Sequence, residues 1–370
     1  MIFAMASKFD QSEDDNASSR SRFDRSDVFY KRAARLCGEL SKRVISLEII
    51  QYLVIVVIHC QGTQRSIQAW NLHGLLVRSA TALGLHGSYN KVGLDPDTEE
   101  SYRRTWLVIY GLDKVLSMVF GRPTAIMEEQ MTVREPSPWP SRSFPDSSTP
   151  SSHIQDSDHS DLSGQFLGVS SRLYQIMGMS LTRQYGANIE SIHGEVDELT
   201  SLQVSDEIRK ALRLWTSKLS PSLRLVDPRS ETLLESTPAN RLRVILSLRY
   251  HNLNILVHRP LLTMGIRHMT HTSGSPRATP PYVVQLAMAG AQECIHSAQT
   301  TVEVVHSIVS ADPTSKNNLG VWFWTLYYGP LFCLPLQVAR SQATNCISIH
   351  SFAGDQWTAS SRKAWRRDSG

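Results

Sequence analysis

A single carboxylate interrupts an apolar helical face in the middle of the chain. The other members of this face recur at helical spacing: Tyr102, Trp106, Ile109, Leu116 and Phe120. Asp113 falls among them and needs a partner, because an unpaired buried carboxylate costs several kcal/mol. As a general base it would need a histidine or a nucleophile, and the neighbouring sequence offers neither. We therefore expect an internal ion pair that fixes the register of two helices, with Arg78 as first partner and Arg122 as second.

The residues that could hold a metal are scattered. The five cysteines are Cys37, Cys60, Cys294, Cys333 and Cys346. No pair has the two-to-four-residue spacing of a zinc knuckle, so we interpret them as reduced, mostly buried thiols of an intracellular protein. His268 and His271 lack a third ligand nearby. Three acidic residues lie close together in sequence, namely Asp156, Asp158 and Asp161. The sequence around them lacks the glycine and the terminal glutamate of a calcium-binding loop. The sequence predicts no metal site.

Catalytic motifs are absent from the sequence. It contains no Gly-rich phosphate loop, no Gly-x-Ser-x-Gly and no His-Glu-x-x-His. The segment from Gly320 to Val338 is dense in aromatic residues, which is compatible with the wall of a ligand pocket and also with tight helix packing. We predict no catalytic residue.

The elements that must position these residues are helices. Apolar periodicity predicts helices near 27–37, 47–60, 67–83, 96–120, 167–185, 204–219, 238–258 and 281–309, with an apolar segment at 320–338. Ser46 and either Asp95 or Asp97 are expected caps. Gly84 and Gly121 are expected left-handed stops, and Pro123 forbids continuation. The predicted fold is all-α, with about eight to ten helices and long polar loops.

The helix near 67–83 carries a glycine in its interior. Its period places these residues near one face: Trp70, Gly74 (or His73), Val77, Thr81 and Gly84. Gly74 costs up to ~1 kcal/mol of helix propensity. We expect another helix to approach closely at this position, where no side chain intervenes.

Composition shifts divide the chain into five parts. Residues 1–26 are polar and predicted to be disordered, 27–135 form a first helical half, and 136–163 form a Pro/Ser-rich linker or loop. Residues 164–340 form a second helical half, and 341–370 an irregular tail.

The bulk composition is that of a globular protein. The chain has 370 residues, 41% hydrophobic and 19% charged, and a net charge of +4. This charge is too mild for a protein that coats nucleic acid. The apolar run from Leu47 to Cys60 is too short to span a bilayer. We expect no membrane association.

Several short sequence motifs follow one another along the chain. They are Ala69-Trp70, Gly74, Val77-Arg78, Ala80, Leu83-Gly84-Leu85-His86, Arg104-Thr105-Trp106, Leu112-Asp113, Gly121-Arg122-Pro123 and, later, His258-Arg259-Pro260-Leu261-Leu262. Together they resemble the middle homology region of fungal zinc-cluster transcription factors, over roughly residues 27–340. The signature residues of this resemblance are Trp70, Gly74, Arg78, Gly84, Trp106, Asp113, Gly121, Arg122, Pro123, Arg259 and Pro260.

The resemblance implies regulation of RNA polymerase II transcription in a fungal nucleus. Such a domain would set the activity of a DNA-binding module through homo- or hetero-dimer contacts, co-regulators or a small effector. The sequence departs from the family because six grouped cysteines are absent. No DNA-binding residue is therefore assigned here. Zinc is expected only with a missing N-terminal cluster, and DNA is contacted indirectly, through that module or a partner.

Two other functions remain open at the level of sequence. The chain could be a cluster-less scaffold or dimerisation partner that binds no DNA, which the dispersed cysteines favour. It could also be a helical enzyme with its site among the aromatic residues of 320–338, which the missing catalytic motifs disfavour.

Overall fold

The fold is built from α-helices. The computed structural model describes residues 1–8, 19–39, 42, 44–63, 65–87, 94–136, 153–186, 198–235, 237–270 and 281–311; within them it contains nine α-helices and no strand. The helices are α1 (Ile2–Ala6), α2 (Ser19–Cys37), α3 (Leu47–Gln61), α4 (Ser66–Ala82), α5 (Pro96–Phe120), α6 (His153–Arg183), α7 (Glu198–Ser217), α8 (Pro238–Thr270) and α9 (Pro281–Ala311). Three short 3-10 helices lie at Glu128–Gln130, Pro221–Leu223 and Glu231–Leu234. The predicted all-α class is confirmed.

The local start and stop signals act as predicted. Ser46 caps α3 by accepting the Ile49 N–H at 3.4 Å, and Asp95 caps α5 by accepting the Thr98 N–H at 2.9 Å. Gly84 and Gly121 have φ angles of 77° and 61°. Both lie in the left-handed region that ends helices at low cost for glycine.

The N-terminal region differs from the prediction of disorder over 1–26. Helix α1 and the first turns of α2 fall inside this range. Ala4 is fully buried, and its carbonyl accepts a hydrogen bond of 2.6 Å from the Ser26 hydroxyl. The rings of Phe3 and Phe29 lie 5.7 Å apart. Contacts with α2 order this segment, and its polar local composition gave no sign of them.

The predicted linker is also shorter than expected. Helix α6 begins at His153, inside the range 136–163 that we predicted as linker or loop. The sequence has no proline between Pro150 and Pro221, so nothing in it forbids a helix from starting early. Serine and aspartate lower helix propensity only slightly, and tertiary packing overrides such small preferences.

Helix α8 continues through Pro260, although we predicted its end near His258. Proline cannot donate to the carbonyl four residues earlier, which is that of Leu256. The hydroxyl of Tyr185 donates to this carbonyl at 2.7 Å, and the Gln184 amide donates to the next one, on Val257, at 3.0 Å. Because the residues after α6 satisfy these carbonyls, the helix can bend and continue to Thr270.

One large apolar core joins the helices. Its buried members run from Ile50 on α3 to Ala298 on α9 and include residues of both predicted helical halves. None of the helices in the described ranges is both long enough and apolar enough to cross a membrane. The predicted aromatic segment 320–338 and the tail 341–370 lie outside the described residues.

Two interior glycines should respond oppositely to the same substitution. A Cβ on Gly290 would lie 2.9 Å from Leu261 Cβ across the α8–α9 contact, whereas a Cβ on Gly74 meets no described atom within 4 Å. We expect Gly290→Ala to lower the free energy of unfolding by about 1–2 kcal/mol through overpacking. We expect Gly74→Ala to raise it by up to ~1 kcal/mol through helix propensity. Urea denaturation measures both, and a loss of stability in Gly74→Ala would contradict the open surroundings of Gly74.

Buried histidines should make the fold sensitive to acid. His59 is fully buried and stacks on Tyr30 with ring centroids 4.8 Å apart. Burial, together with the positive charges of Lys8 and Arg65, lowers the pKa of His59 from 6.5 to about 3. The unfolded chain binds a proton below pH 6.5 that the folded chain does not, so stability falls as the pH decreases from 6.5 towards 3.

The variant His59→Phe tests this dependence. Phenylalanine keeps the stacking and cannot bind a proton, so we expect its stability to fall less steeply than that of wild type between pH 6.5 and 5. The difference in slope should approach 1.4 kcal/mol per pH unit, the value for one proton. Parallel slopes in urea titrations across this range would mean that His59 is protonated in the folded state.

Candidate functional site

The carboxylate of Asp113 joins three parts of the fold. Asp113 is 1% exposed, as its position on the apolar face of α5 predicted. His73 Nε2, on α4, lies 3.2 Å from its Oδ1. The backbone N–H groups of Ala125 and Ile126 donate to its two oxygens at 3.0 and 3.1 Å. A single side chain therefore connects α4, α5 and the segment that follows α5.

Lys114 connects Asp113 to a second carboxylate. Its ammonium donates to the Ile126 carbonyl at 2.8 Å and lies 3.7 Å from both Asp113 Oδ2 and Glu128 Oε1. The Tyr110 hydroxyl donates to Glu128 Oε1 at 2.6 Å. Burial, and then the hydrogen bond to Glu128, raise the pKa of Tyr110 far above its usual value, so the phenol remains a neutral donor. We call His73, Tyr110, Asp113, Lys114 and Glu128 the buried charge cluster.

The end of α5 explains how the following segment reaches this cluster. At Gly121 the chain turns back on itself, and the Arg122 N–H donates to the Ser117 carbonyl at 3.0 Å. The Ser117 hydroxyl donates to the Pro123 carbonyl at 3.3 Å. Pro123 prevents the helix from continuing. Residues 122–127 therefore return along the last turns of α5, where Asp113 and Lys114 bind their backbone.

The predicted partners of Asp113 were wrong. Arg78 and Arg122 are both exposed, and the guanidinium of Arg122 stands 5.0 Å from the ring centroid of Trp70. The actual partners are His73, Lys114 and two backbone amides. Lys114 follows Asp113 directly, and consecutive residues of a helix do not face each other. Its long, flexible stem allows its ammonium to reach the same cluster, which spacing alone does not reveal.

The structure places His73, which the sequence left open as the alternative to Gly74, on the inner side of α4. Its buried residues are Ala69, His73, Leu76, Val77, Ser79 and Ala80. The contact between His73 and Asp113 keeps this side inward, so Trp70 and Gly74 lie on the outer side instead of in the core. The small residues Ala69 and Ala80 were the signal that could have identified the inner face.

Four of the signature residues meet at the surface: Trp70, Gly74, Arg78 and Arg122. An open depression of ≈ 380 Å³ lies there, lined by Trp70, Asn71, Gly74, Leu75 and Arg78, and we call it the Trp70 groove. The predicted helix contact at Gly74 is wrong within the described residues, none of which comes within 4 Å of a Cβ placed there.

The remaining signature residues occupy structural positions. Trp106 is 2% exposed, with its ring centroid 5.9 Å from that of His86. Gly84 ends α4, and Gly121 and Pro123 form the return after α5. Arg259 and Pro260 lie at the bend of α8, where both are half-buried.

The buried charge cluster is not arranged for catalysis. Asp113 is closed to solvent, and its oxygens already accept two backbone hydrogen bonds beside His73 and Lys114. A general base needs access to a substrate proton, which this carboxylate lacks. Its geometry supports the alternative that we favoured, an internal charged contact that fixes the register of two helices.

Metal-ligating residues are not grouped in the described ranges, which contain no cluster of three or more His, Cys, Asp or Glu suited to a metal ion. Cys60 and Cys294 are buried thiols, and burial raises the pKa of Cys294 to about 12. A thiol with so high a pKa is a poor ligand and a poor nucleophile. Cys333 and Cys346 lie outside the described residues.

Asp113→Asn should strongly destabilise the fold. The substitution removes the negative charge opposite Lys114 and His73, and breaking a buried charged contact costs about 3–5 kcal/mol. Asp206→Asn is the matched control. Asp206 is 37% exposed, and among the described residues its ion pairs are with Arg209 and Lys210 on its own helix, so its loss should cost less than about 1 kcal/mol. Urea denaturation of both variants should separate them; equal, small effects would show that Asp113 contributes no buried charge.

Comparison with known proteins identifies the family. Residues 1–217 match the fungal specific transcription factor domain. The chain is 55% identical over 328 residues to "Transcription factor FBD3" of Gibberella moniliformis, covering 89% of this chain and 42% of that protein. It is 52% identical to the protein of the same name from Fusarium pseudograminearum, with the same coverage.

More distant relatives are also named as regulators of genes. The chain is 24% identical over 336 residues to "Activator of stress genes 1" of Saccharomyces cerevisiae, covering 88% of this chain and 31% of that protein. No solved structure matches the chain. The chain spans about two fifths of the length of its most similar relatives in this comparison, 42% in both. The family match over residues 1–217 and the 55% identity together show that the chain belongs to the family of fungal transcription regulators that carry this domain.

Proposed function

We propose that this chain is the regulatory region of a zinc-cluster type transcription factor and acts on RNA polymerase II transcription in the nucleus. The observation that carries the proposal is the family match over residues 1–217 combined with the coverage of 42% of two relatives named transcription factors. A regulatory region that is part of a longer factor would match the family model and cover only part of such relatives.

The geometry supports a role through protein contacts. The buried charge cluster holds α4, α5 and residues 122–127 in one arrangement. The outer side of α4 carries Trp70 and Arg78, and Arg122 from the segment after α5 lies against the Trp70 ring. Such a rigid exposed surface is suited to binding partners such as co-regulators or a second subunit. We propose that activity depends on a shift between states in which such a surface is masked or exposed.

DNA contact is proposed to come from outside these residues. The sequence has five dispersed cysteines where a binuclear zinc cluster needs six close together. We propose that zinc and DNA are bound by another region of the same factor or by a partner protein. The dispersed cysteines also support a second candidate function, a cluster-less partner that dimerises with complete factors.

A reporter assay tests the proposed function. The chain fused to a bacterial DNA-binding domain should change transcription of a reporter gene that carries the matching operator, relative to that DNA-binding domain alone. The unfused chain should leave the same reporter unchanged, because it has no module that contacts the operator. Either activation or repression by the fusion would support a regulatory role.

Two controls make the result interpretable. The Asp113→Asn fusion should lose the effect, because its fold is destabilised. The Asp206→Asn fusion should keep it. If the wild-type fusion is folded and nuclear and still leaves the reporter unchanged, the proposal of a regulatory region is wrong, and the cluster-less partner becomes the better candidate.

A further inference from the structure

The outer side of α4 forms one continuous stripe at the surface. Its residues recur at the spacing of a helical face: Ile67, Trp70, Asn71, Gly74, Leu75 and Arg78. Ile67 is 78% exposed, an unusual position for an isoleucine on a helix of a folded domain. The Trp70 groove of ≈ 380 Å³ lies along this stripe. Within this stripe Ile67, Asn71 and Arg78 are exposed, whereas the other three residues are half-buried.

Gly74 creates the groove, and none of the described residues packs closely against it. Glycine in a helix interior costs up to ~1 kcal/mol relative to alanine, and it is usually compensated by a close neighbour. Here no described atom lies within 4 Å of the position that a Cβ would take. The missing side chain leaves a gap between Trp70 and Arg78, one helical turn to either side. A side chain from another molecule would fit this gap.

The wall of the groove is fixed before any partner binds. The ring of Trp70 meets that of Phe120 edge-on, with centroids 5.5 Å apart, and the Arg122 guanidinium lies 5.0 Å from the Trp70 centroid. A large aromatic side chain that is already ordered loses little entropy on binding. Such residues dominate the energy of protein interfaces.

The charges around the groove determine what it can bind. Arg78 and Arg122 are exposed, and no carboxylate of the described residues pairs with either. Elsewhere on the described surface, arginines do pair with carboxylates: Arg65 with Asp27, Arg172 with Glu135, and Arg183 with Glu207. The groove therefore combines an apolar floor with two cationic groups that no carboxylate in the described ranges neutralises, which is complementary to an acidic partner with apolar side chains.

The same charges disfavour a second copy of this chain as the occupant. A two-fold contact would place the same face of α4 on both sides of the interface. It would bring Arg78 and Arg122 of one copy against those of the other. Like charges that meet in this way oppose association.

We propose that the Trp70 groove binds an acidic amphipathic helix of a partner protein. One bulky apolar side chain of this helix occupies the space over Gly74 and packs on Trp70, while its carboxylates pair with Arg78 and Arg122. This inference rests on the proposed function, because it names the kind of partner through which the regulatory region acts. A helix is the element that presents apolar and acidic residues together at the spacing of the stripe.

The test selects peptides on the complete chain. A displayed library of helical peptides of about 20 residues, randomised on their surface positions, is selected for binding to the purified wild-type chain. The selected peptides should be enriched in Asp and Glu around an apolar i, i+3, i+4, i+7 pattern, and their affinity should fall as salt is raised. Fluorescence anisotropy then measures each peptide against variants of the chain.

Three variants assign the binding to the groove. Gly74→Leu fills the gap and should weaken binding by about tenfold or more while the melting temperature stays equal or rises. Arg78→Glu should weaken binding and remove most of its salt dependence. Arg213→Glu is the matched control, an identical charge reversal at an exposed position on α7, and should bind as wild type does.

Several results would overturn the proposal. These are selected peptides without an acidic excess, peptides that bind Gly74→Leu as well as wild type, or no selected peptide at all. A lower melting temperature for Gly74→Leu would mean that the chain itself fills the groove. Dimers of the wild type in sedimentation that Gly74→Leu abolishes would mean that a second copy does. None of these results bears on the proposed regulatory function, which is tested independently by the reporter response of the fused chain.

Discussion

The burial of one negative charge determines how the N-terminal helices fit together. Asp113 cannot remain unpaired in the core, so α4 must bring His73 to it, and the chain after α5 must return to give it two backbone amides. Lys114 satisfies the Ile126 carbonyl in the same segment. The charge thus fixes the rotation of α4 as well as the path of residues 122–127. The rotation of α4 also determines which of its residues face outward.

Helix α6 connects the buried charge cluster to the C-terminal helices. Near its C-terminal end, Gly178 lies so close to Glu128 of the buried charge cluster that a side chain there would collide with the carboxylate. Just beyond its end, Gln184 and Tyr185 satisfy the two carbonyls at the bend of α8. The Val169 carbonyl of α6 accepts a hydrogen bond of 3.0 Å from the indole of Trp215 on α7. Polar contacts along one helix therefore position both the cluster and the C-terminal helices.

The sequence predicted what depends on near neighbours. Ser46, Asp95, Gly84 and Gly121 were identified because a cap or a left-handed stop requires only a few residues of context. The partners of Asp113 and the continuation of α8 through Pro260 were missed, since they depend on side chains distant in sequence. The sequence also left open whether His73 or Gly74 lies on the inner face of α4, because that choice depends on the distant partner Asp113. Of the candidate site, the buried position of Asp113 and its role as an internal charged contact were predicted, whereas its partners were not.

The two sides of α4 limit how this region can regulate. Its inner side is closed, because the His73–Asp113 contact is buried and residues 122–127 are bound to α5. A partner on the outer side gains little by rotating the helix, since rotation would leave the Asp113 charge unpaired at a cost of several kcal/mol. Binding at the Trp70 groove should therefore leave the helices in place. Under the proposed mechanism, the states that differ in activity are those in which the groove is covered or open, and partners that compete for the groove would act as the switch.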